Sequence, residues 1–283
     1  MQQLIRHILV PTDFSQESAE ALKVAAELAR RTSAQIILLH VVDSLLYTSI
    51  LSITETDWLP QQSPLQQIID EIKKQLIHFT AKHAGDRVVE PCVAFQDIYT
   101  AIHEYAKKYE NCLIVMGSKG TGETSFLLGS TTEKIIRAAA SPVLVVKGKI
   151  TKFNLKTICL AADFQPHHMP WVLVAFIKLL QHVFSAHLQL LKVITPQHFE
   201  VSSHTQQTLK EFAQTHDLQN YSTHFYNHYT EYEGILAFAD DTKTDLICMT
   251  THGSTGFMQI MMGSIAEDVA NHAKIPVLTF RVR

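Results

Sequence analysis

Two tandem α/β domains, each a doubly wound parallel sheet, are what this sequence predicts, and three observations carry the prediction. Short apolar runs rich in branched side chains alternate with segments of helical periodicity along the chain. The landmarks of the first half return in the second half in the same order. In the first half, one of those apolar runs leads through a glycine loop into a helix start, and the second half repeats the arrangement.

Ile8-Leu9-Val10-Pro11-Thr12-Asp13-Phe14 is echoed by Ile158-Cys159-Leu160-Ala161-Ala162-Asp163-Phe164. Ile37 to Val42 is echoed by Gln189 to Ile194, Leu113 to Gly120 by Leu246 to Gly253, and Pro142-Val143-Leu144 by Pro276-Val277-Leu278. Four landmarks in register amount to a tandem duplication. The halves meet in the polar stretch Lys147 to Lys156, so the expected domains are 1–150 and 151–283.

In chain order, the opening apolar run is a strand. From Ser15 to Arg31, Ala21, Leu22, Ala25, Leu28 and Ala29 recur at helical spacing, with Ser15 and Ser18 offering N-cap chemistry. Ile36 to Val42 reads as the next strand. Asp43 to Pro64 is irregular, contains Pro60 and Pro64, lacks a full counterpart in the second half and reads as a surface excursion. Ile68, Ile69, Ile72, Leu76 and Phe79 mark a helix face; Val88 to Phe95 is a strand and Tyr99 to Tyr109 a helix. The segment from Thr132 to Ala140 is a helix, and Ser141-Pro142 admits a last strand, Val143 to Val146. The last strands of the two halves are apolar and would lie at sheet edges. Val143 to Val146 and Val277 to Phe280 are therefore expected to pair, making the monomer a pseudo-dimer and leaving a homodimer open.

The stretch Leu113 to Glu133 organises the first half. Leu113 to Met116 suits a strand buried on both faces. Gly117 and Gly120 break it, and Gly129, Ser130 and Glu133 start a helix, Ser130 and Glu133 being spaced as a capping box. Strand, loop and helix N-terminus together present free N–H groups and a positive dipole end, which suits phosphate.

Composition excludes several classes. The chain has 283 residues, 46% of them hydrophobic and 18% charged, as expected for globular domains with large cores. A net charge of −3 offers no basic field, so neither nucleic acid nor an anionic membrane is expected as partner. No apolar run approaches a membrane span, and the first strand begins close to Met1, so a cytoplasmic location is expected. Cys92, Cys112, Cys159 and Cys248 lie in or beside apolar strands without metal spacing and read as reduced, mostly buried thiols. Among the 16 histidines, His224 and His228 would be about 13 Å apart on a strand, and His167 and His168 have no completing ligand cluster, so no metal is expected. Catalytic signatures are absent: there is no Walker phosphate loop, nucleophile elbow or HExxH helix.

The opening Ile8 to Ser15, the loop Met116-Gly117-Ser118-Lys119-Gly120 running to Gly129-Ser130, and the echo Met249 to Gly253, Gly263-Ser264 and Ile275 to Leu278 resemble the universal stress proteins. The resemblance covers nearly the whole chain and implies Rossmann-like, adenine-nucleotide-binding-like domains. It implies ATP or another adenine nucleotide as ligand, Mg²⁺ accompanying it, and a role in stress response through ligand-dependent interactions. A scaffold with degenerate loops and a slow nucleotide hydrolase are the alternatives. ATP-binding members use a loop of Gly, two residues, Gly, nine residues, Gly, then Ser or Thr. Here Gly117, Gly120 and Gly129 are all present, with eight residues between the last two. The second half has the nine residues between Gly253 and Gly263, but Thr250 stands at the first glycine position.

By this resemblance Asp13 and Val41, with Pro11 and Thr12 beside them, contact base and ribose. Met116, Gly117, Lys119, Gly120, Gly129, Ser130, Thr131 and Thr132 form the phosphate side. Asp163, Val193, Gly253, Gly263, Ser264 and Ile265 are the weaker second-half set. Each has a plainer reading: Ser130 and Ser264 as helix caps, Asp13 as a turn residue, Val41 as core, and Lys119 as a solvated loop lysine. The first half is expected to be the working site, with the short loop favouring AMP or ADP over ATP.

Overall fold

The computed structural model describes residues 4–42, 64–118, 128–165, 169–252 and 265–282. The described residues of the first half form β1 (His7–Pro11), α1 (Gln16–Thr32), β2 (Gln35–Val42), α2 (Pro64–His83), β3 (Val89–Phe95), α3 (Ile98–Lys108), β4 (Cys112–Gly117), α4 (Ser130–Ala138) and β5 (Val143–Val146). Those of the second form β6 (Thr157–Ala161), α5 (Trp171–Phe184), β7 (His187–Ile194), α6 (Ser202–Thr215), β8 (Tyr221–Asn227), α7 (Glu231–Thr242), β9 (Leu246–His252), α8 (Ile265–His272) and β10 (Val277–Val282). Element boundaries differ from the sequence expectation by a residue or two, as helix ends and strand ends commonly do. The surface excursion expected over Asp43 to Pro64 lies, apart from Pro64, outside the described residues.

The ten strands form one sheet in the order β3-β2-β1-β4-β5-β10-β9-β6-β7-β8. Within each half every pairing is parallel, which needs helical crossovers and explains the alternation read from the sequence. At the centre β5 and β10 pair antiparallel, Leu144 opposite Leu278 and Val145 opposite Val277. The two terminal strands expected to lie side by side therefore do so, and neither remains an edge. The antiparallel join relates the halves by a half-turn about an axis perpendicular to the sheet, so equivalent helices stay on the same face while the carboxyl ends of the two sets of strands point in opposite directions.

Strand alternation divides the core in two. On one face Ile8, Val10, Ile36 and Leu38 meet α1 and α2, and Leu160, Leu188 and Leu190 meet α5 and α6. On the other, Leu9, Ile37 and Ile114 meet α3 and α4, and Leu191 and Ile247 meet α7 and α8. Helix α1 approaches the sheet closely because its buried stripe contains Ala19, Ala21, Ala25 and Ala29. Ser15 caps it by accepting from the Ser18 amide, and Ser33 ends it in the left-handed region at φ 58°.

Side chains also tie the halves together. Arg31 of α1 lies over the Phe184 ring at 4.2 Å, donates to the Val183 carbonyl at 2.6 Å and is held by Glu27. On the other face α4 packs beside α8, where Arg137 makes a two-bonded ion pair with Glu267 at 2.7 and 3.0 Å. The Glu20 carboxylate, 2% exposed, accepts from the Ile150 amide and pins the segment between the halves. Among the described residues no helix is long and apolar enough to cross a membrane.

Candidate functional site

In each half the strand order reverses beside its first strand, between β1 and β4 and between β6 and β9. Open parallel sheets bind ligands in the crevice at the carboxyl ends of such strands. The first-half candidates gather there: Pro11 ends β1, Thr12 and Asp13 follow it, Val41 lies near the end of β2, and Met116 and Gly117 end β4.

The turn after β1 is rigidly built. Thr12 is buried; its amide donates to the Leu39 carbonyl, and its hydroxyl meets Ser18 Oγ at 2.9 Å and accepts from the Phe14 amide at 3.0 Å. His40 Nδ1 donates to the Thr12 carbonyl at 2.8 Å. Asp13 Oδ1 accepts from the Ser15 amide at 3.1 Å, forming an Asx turn, while the helix cap itself is Ser15. This turn places Phe14 at φ 63°, a conformation rare for a bulky side chain. Packing holds it there, with the Phe14 ring 4.8 Å from His40 and 5.6 Å from Phe79.

The second half repeats the device. Asp163 Oδ1 accepts from the Gln165 amide at 3.1 Å, and Phe164 sits at φ 59° against Phe212. Strained backbone at the same position of both switch points marks these turns as built features, because such conformations cost roughly 1–3 kcal/mol each and persist only when their surroundings hold them.

At the start of α4 the structure corrects the expected cap. Gly129, not Ser130, is the N-cap of α4; no side chain caps the helix, and Ser130 is its exposed first residue. The register is set by long-range bonds: the Gly129 amide donates to the Ser118 carbonyl at 2.9 Å, and the Thr132 hydroxyl donates to the Gly117 carbonyl at 3.2 Å. Helix start and strand end are thus joined at the neck of the loop. With glycine at the cap, the first-turn amides of Ser130, Thr131 and Thr132 meet no capping side chain, which is the geometry an anion uses. Lys119 and Gly120 lie outside the described residues.

Gly117 has a packing reason to be glycine. A Cβ there would come within 2.8 Å of the Glu17 carbonyl carbon and Cβ and 2.9 Å of the Glu17 oxygen, so the first turn of α1 sits directly against the end of β4. Its φ is not positive, which removes left-handed backbone as the explanation. In the second half Thr250 carries a Cβ at this position. There α5 starts at Trp171, after a connection spanning 162–170, whereas residues 12–15 suffice before α1.

The second-half candidates are less well assembled. Val193 lies beneath the start of α7, where a Cβ on Gly234 would come within 2.6 Å of it. Ile265 opens α8 with its side chain exposed. Gly253, Gly263 and Ser264 lie outside the described residues, as do His167 and His168. His228 falls just beyond β8, so the strand spacing assumed for it and His224 does not apply. His224 instead shares the Ser222 hydroxyl with His187, at 2.7 and 2.8 Å. Among the described residues no group of three or more His, Cys, Asp or Glu side chains is placed to hold a metal.

Sequence reasoning missed His40, which stands beside the predicted Val41 and locks the β1 turn. It also missed a cavity of about 630 Å³ lined by Tyr99, His103, Asn111, Pro142 and Trp171. That cavity lies at the amino ends of β4 and β5, and none of the predicted residues lines it.

Paired doubly wound sheets, with a glycine-capped helix tied to the strand end at the first switch point, define a duplicated doubly wound α/β protein. Comparison supplies the family. The family model of the universal stress protein family matches residues 4–147 and again 154–281, and the chain belongs to that family. A universal stress protein of Methanocaldococcus jannaschii is 32% identical over 149 residues, 52% of this chain and 84% of the relative. YxiE, a universal stress protein of Bacillus subtilis, is 31% identical over 151 residues, 51% of this chain and all of the relative. A solved universal stress protein of Archaeoglobus fulgidus matches over the full length of both chains with a TM-score of 0.73 at 20% identity, a likeness of fold.

Proposed function

We propose that the first half binds an adenine nucleotide and that the chain acts in cytoplasmic stress adaptation through ligand-dependent interactions rather than turnover. The observation carrying this reading is the neck of the first loop, where the uncapped start of α4 is tied to the end of β4 beside the strained Asp13 turn. Mg²⁺ would accompany a bound polyphosphate. The buried, free Cys112, Cys159 and Cys248 suit a reducing compartment.

Calorimetric titration with AMP, ADP and ATP, with and without Mg²⁺, tests the reading. One nucleotide per chain is expected, with AMP or ADP bound more tightly than ATP. Gly120→Val should abolish binding and Gly253→Val should spare it, because a branched side chain in the working loop blocks backbone approach to phosphate. The reverse result would move the site to the second half. A second reading, a scaffold whose glycines persist for folding reasons, is favoured by one observation: Gly117 is explained by its contact with Glu17. Absence of all nucleotide binding, and of any copurified nucleotide by mass spectrometry, would establish it.

A further inference from the structure

We infer that Asn271, on α8 of the second half, is a positioning residue for the nucleotide site of the first half; the inference rests on nucleotide binding there. The carboxamide oxygen of Asn271 accepts from the Leu128 amide at 2.8 Å. Leu128 is buried and immediately precedes Gly129, the cap of α4, so this bond fixes the exit of the loop one residue before the phosphate-facing helix start. The neck therefore has three ties. Two are made within the first half, from Gly129 to Ser118 and from Thr132 to Gly117; the third comes from the other half.

Asn271 is itself held from the first half. Its carbonyl accepts from Lys147 Nζ at 3.2 Å, and its side-chain nitrogen donates to Glu133 Oε1 at 3.5 Å. The two equivalent helix positions differ in chemistry. Arg137 and Asn271 each stand eight residues after their glycine, Gly129 and Gly263, and so occupy equivalent places on α4 and α8. A guanidinium has only donors and cannot accept an amide N–H, whereas a carboxamide oxygen can. Arg137 turns to Glu267 instead. Among the described residues, Asn271 is the side chain that brings an acceptor from the second half to the exit of the first-half loop.

The test uses the full chain. Asn271→Leu removes the acceptor at similar volume. Arg137→Met breaks the ion pair between the same two helices without touching the loop exit. Asn271→Asp with Glu133→Gln restores an acceptor and reverses the donor–acceptor sense of the neighbouring contact. The readouts are calorimetric titration with ADP and hydrogen exchange of the Leu128 amide in ligand-free protein. Asn271→Leu should weaken ADP binding by about fivefold, the equivalent of one hydrogen bond, and speed Leu128 exchange by a similar factor. Arg137→Met should change neither, and the double variant should bring the exchange back toward the wild-type rate. Unchanged affinity and exchange in Asn271→Leu, or an equal loss in Arg137→Met, would overturn the positioning role. If wild-type protein binds none of AMP, ADP or ATP, the nucleotide reading itself falls, and Asn271 has no site to position.

Discussion

Replacing Gly117 by alanine separates a glycine kept for packing from one kept for a ligand. The added Cβ would face three Glu17 atoms at 2.8–2.9 Å, two of them backbone. Ordinary carbon contacts lie near 3.5–4.0 Å, so α1 and the end of β4 must part by roughly 0.7 Å or more. Neither is free to move. The start of α1 is held by the Ser15 cap and the Thr12–Ser18 hydroxyl pair, and β4 lies between β1 and β5 in the sheet. Overpacking of this kind costs about 1–3 kcal/mol. Urea unfolding of ligand-free Gly117→Ala, followed by circular dichroism, should therefore show a lower midpoint at unchanged slope. The reciprocal Thr250→Gly should lose about 0.5–1 kcal/mol through strand entropy and should create no binding in the second half. If Gly117→Ala is as stable as wild type yet loses nucleotide, the close approach to Glu17 is not why this position is glycine.

Two further outcomes follow from charge and burial. Hydrogen bonds from Arg30 hold the Glu27 carboxyl down to about 2 against the opposing effect of burial, with Arg31 adding to the depression. Its folded pKa lies below the ordinary value of 4.5, so its stabilisation is complete above that value and fades as pH falls toward 2. Glu27→Gln should cost about 1 kcal/mol near pH 7 after solvent screening, and its urea midpoint should converge with wild type in acid; a constant difference down to pH 2 would contradict the assignment. Thiol titration should distinguish Cys92 from the rest. Burial, followed by the neighbouring Glu90, pushes half-buried Cys92 up to about 11, and burial pushes Cys112 to about 12 and Cys159 and Cys248 upward as well. At pH 8 Cys92 should react slowly in native protein and the other three only after unfolding; a fast native thiol would refute this.

The duplication, the parallel halves and the pairing of the last strands were legible because each depends on local patterns: branched apolar runs, helical spacing and repeated landmarks. The Ser15 cap was legible for the same reason. The start of α4 was not. Ser130 and Glu133 carry a capping pattern, but bonds from Gly129 to Ser118 and from Thr132 to Gly117 fix the helix register one residue earlier. The role of Gly117 was hidden because its partner, Glu17, is one hundred positions away in sequence. Asn271 lay further from view still, since its contact with Leu128 crosses between repeats that the sequence presents as independent copies. The left-handed Phe14 and Phe164 left a faint trace, an Asp-Phe pair after each opening strand, which composition alone does not distinguish from an ordinary turn.

The antiparallel join of β5 and β10 has a consequence for what such a molecule is free to become. Two separate copies meeting through the same strands would be related by a two-fold axis, and any residue on one side of that axis would be repeated on the other. A donor facing one loop would then oblige a donor facing its mate. Joining the copies in one chain lifts that obligation: Arg137 and Asn271 face each other's half as unlike residues in like places. Covalent linkage thus lets equivalent positions of the two halves carry different chemistry, which a symmetric assembly of identical copies forbids.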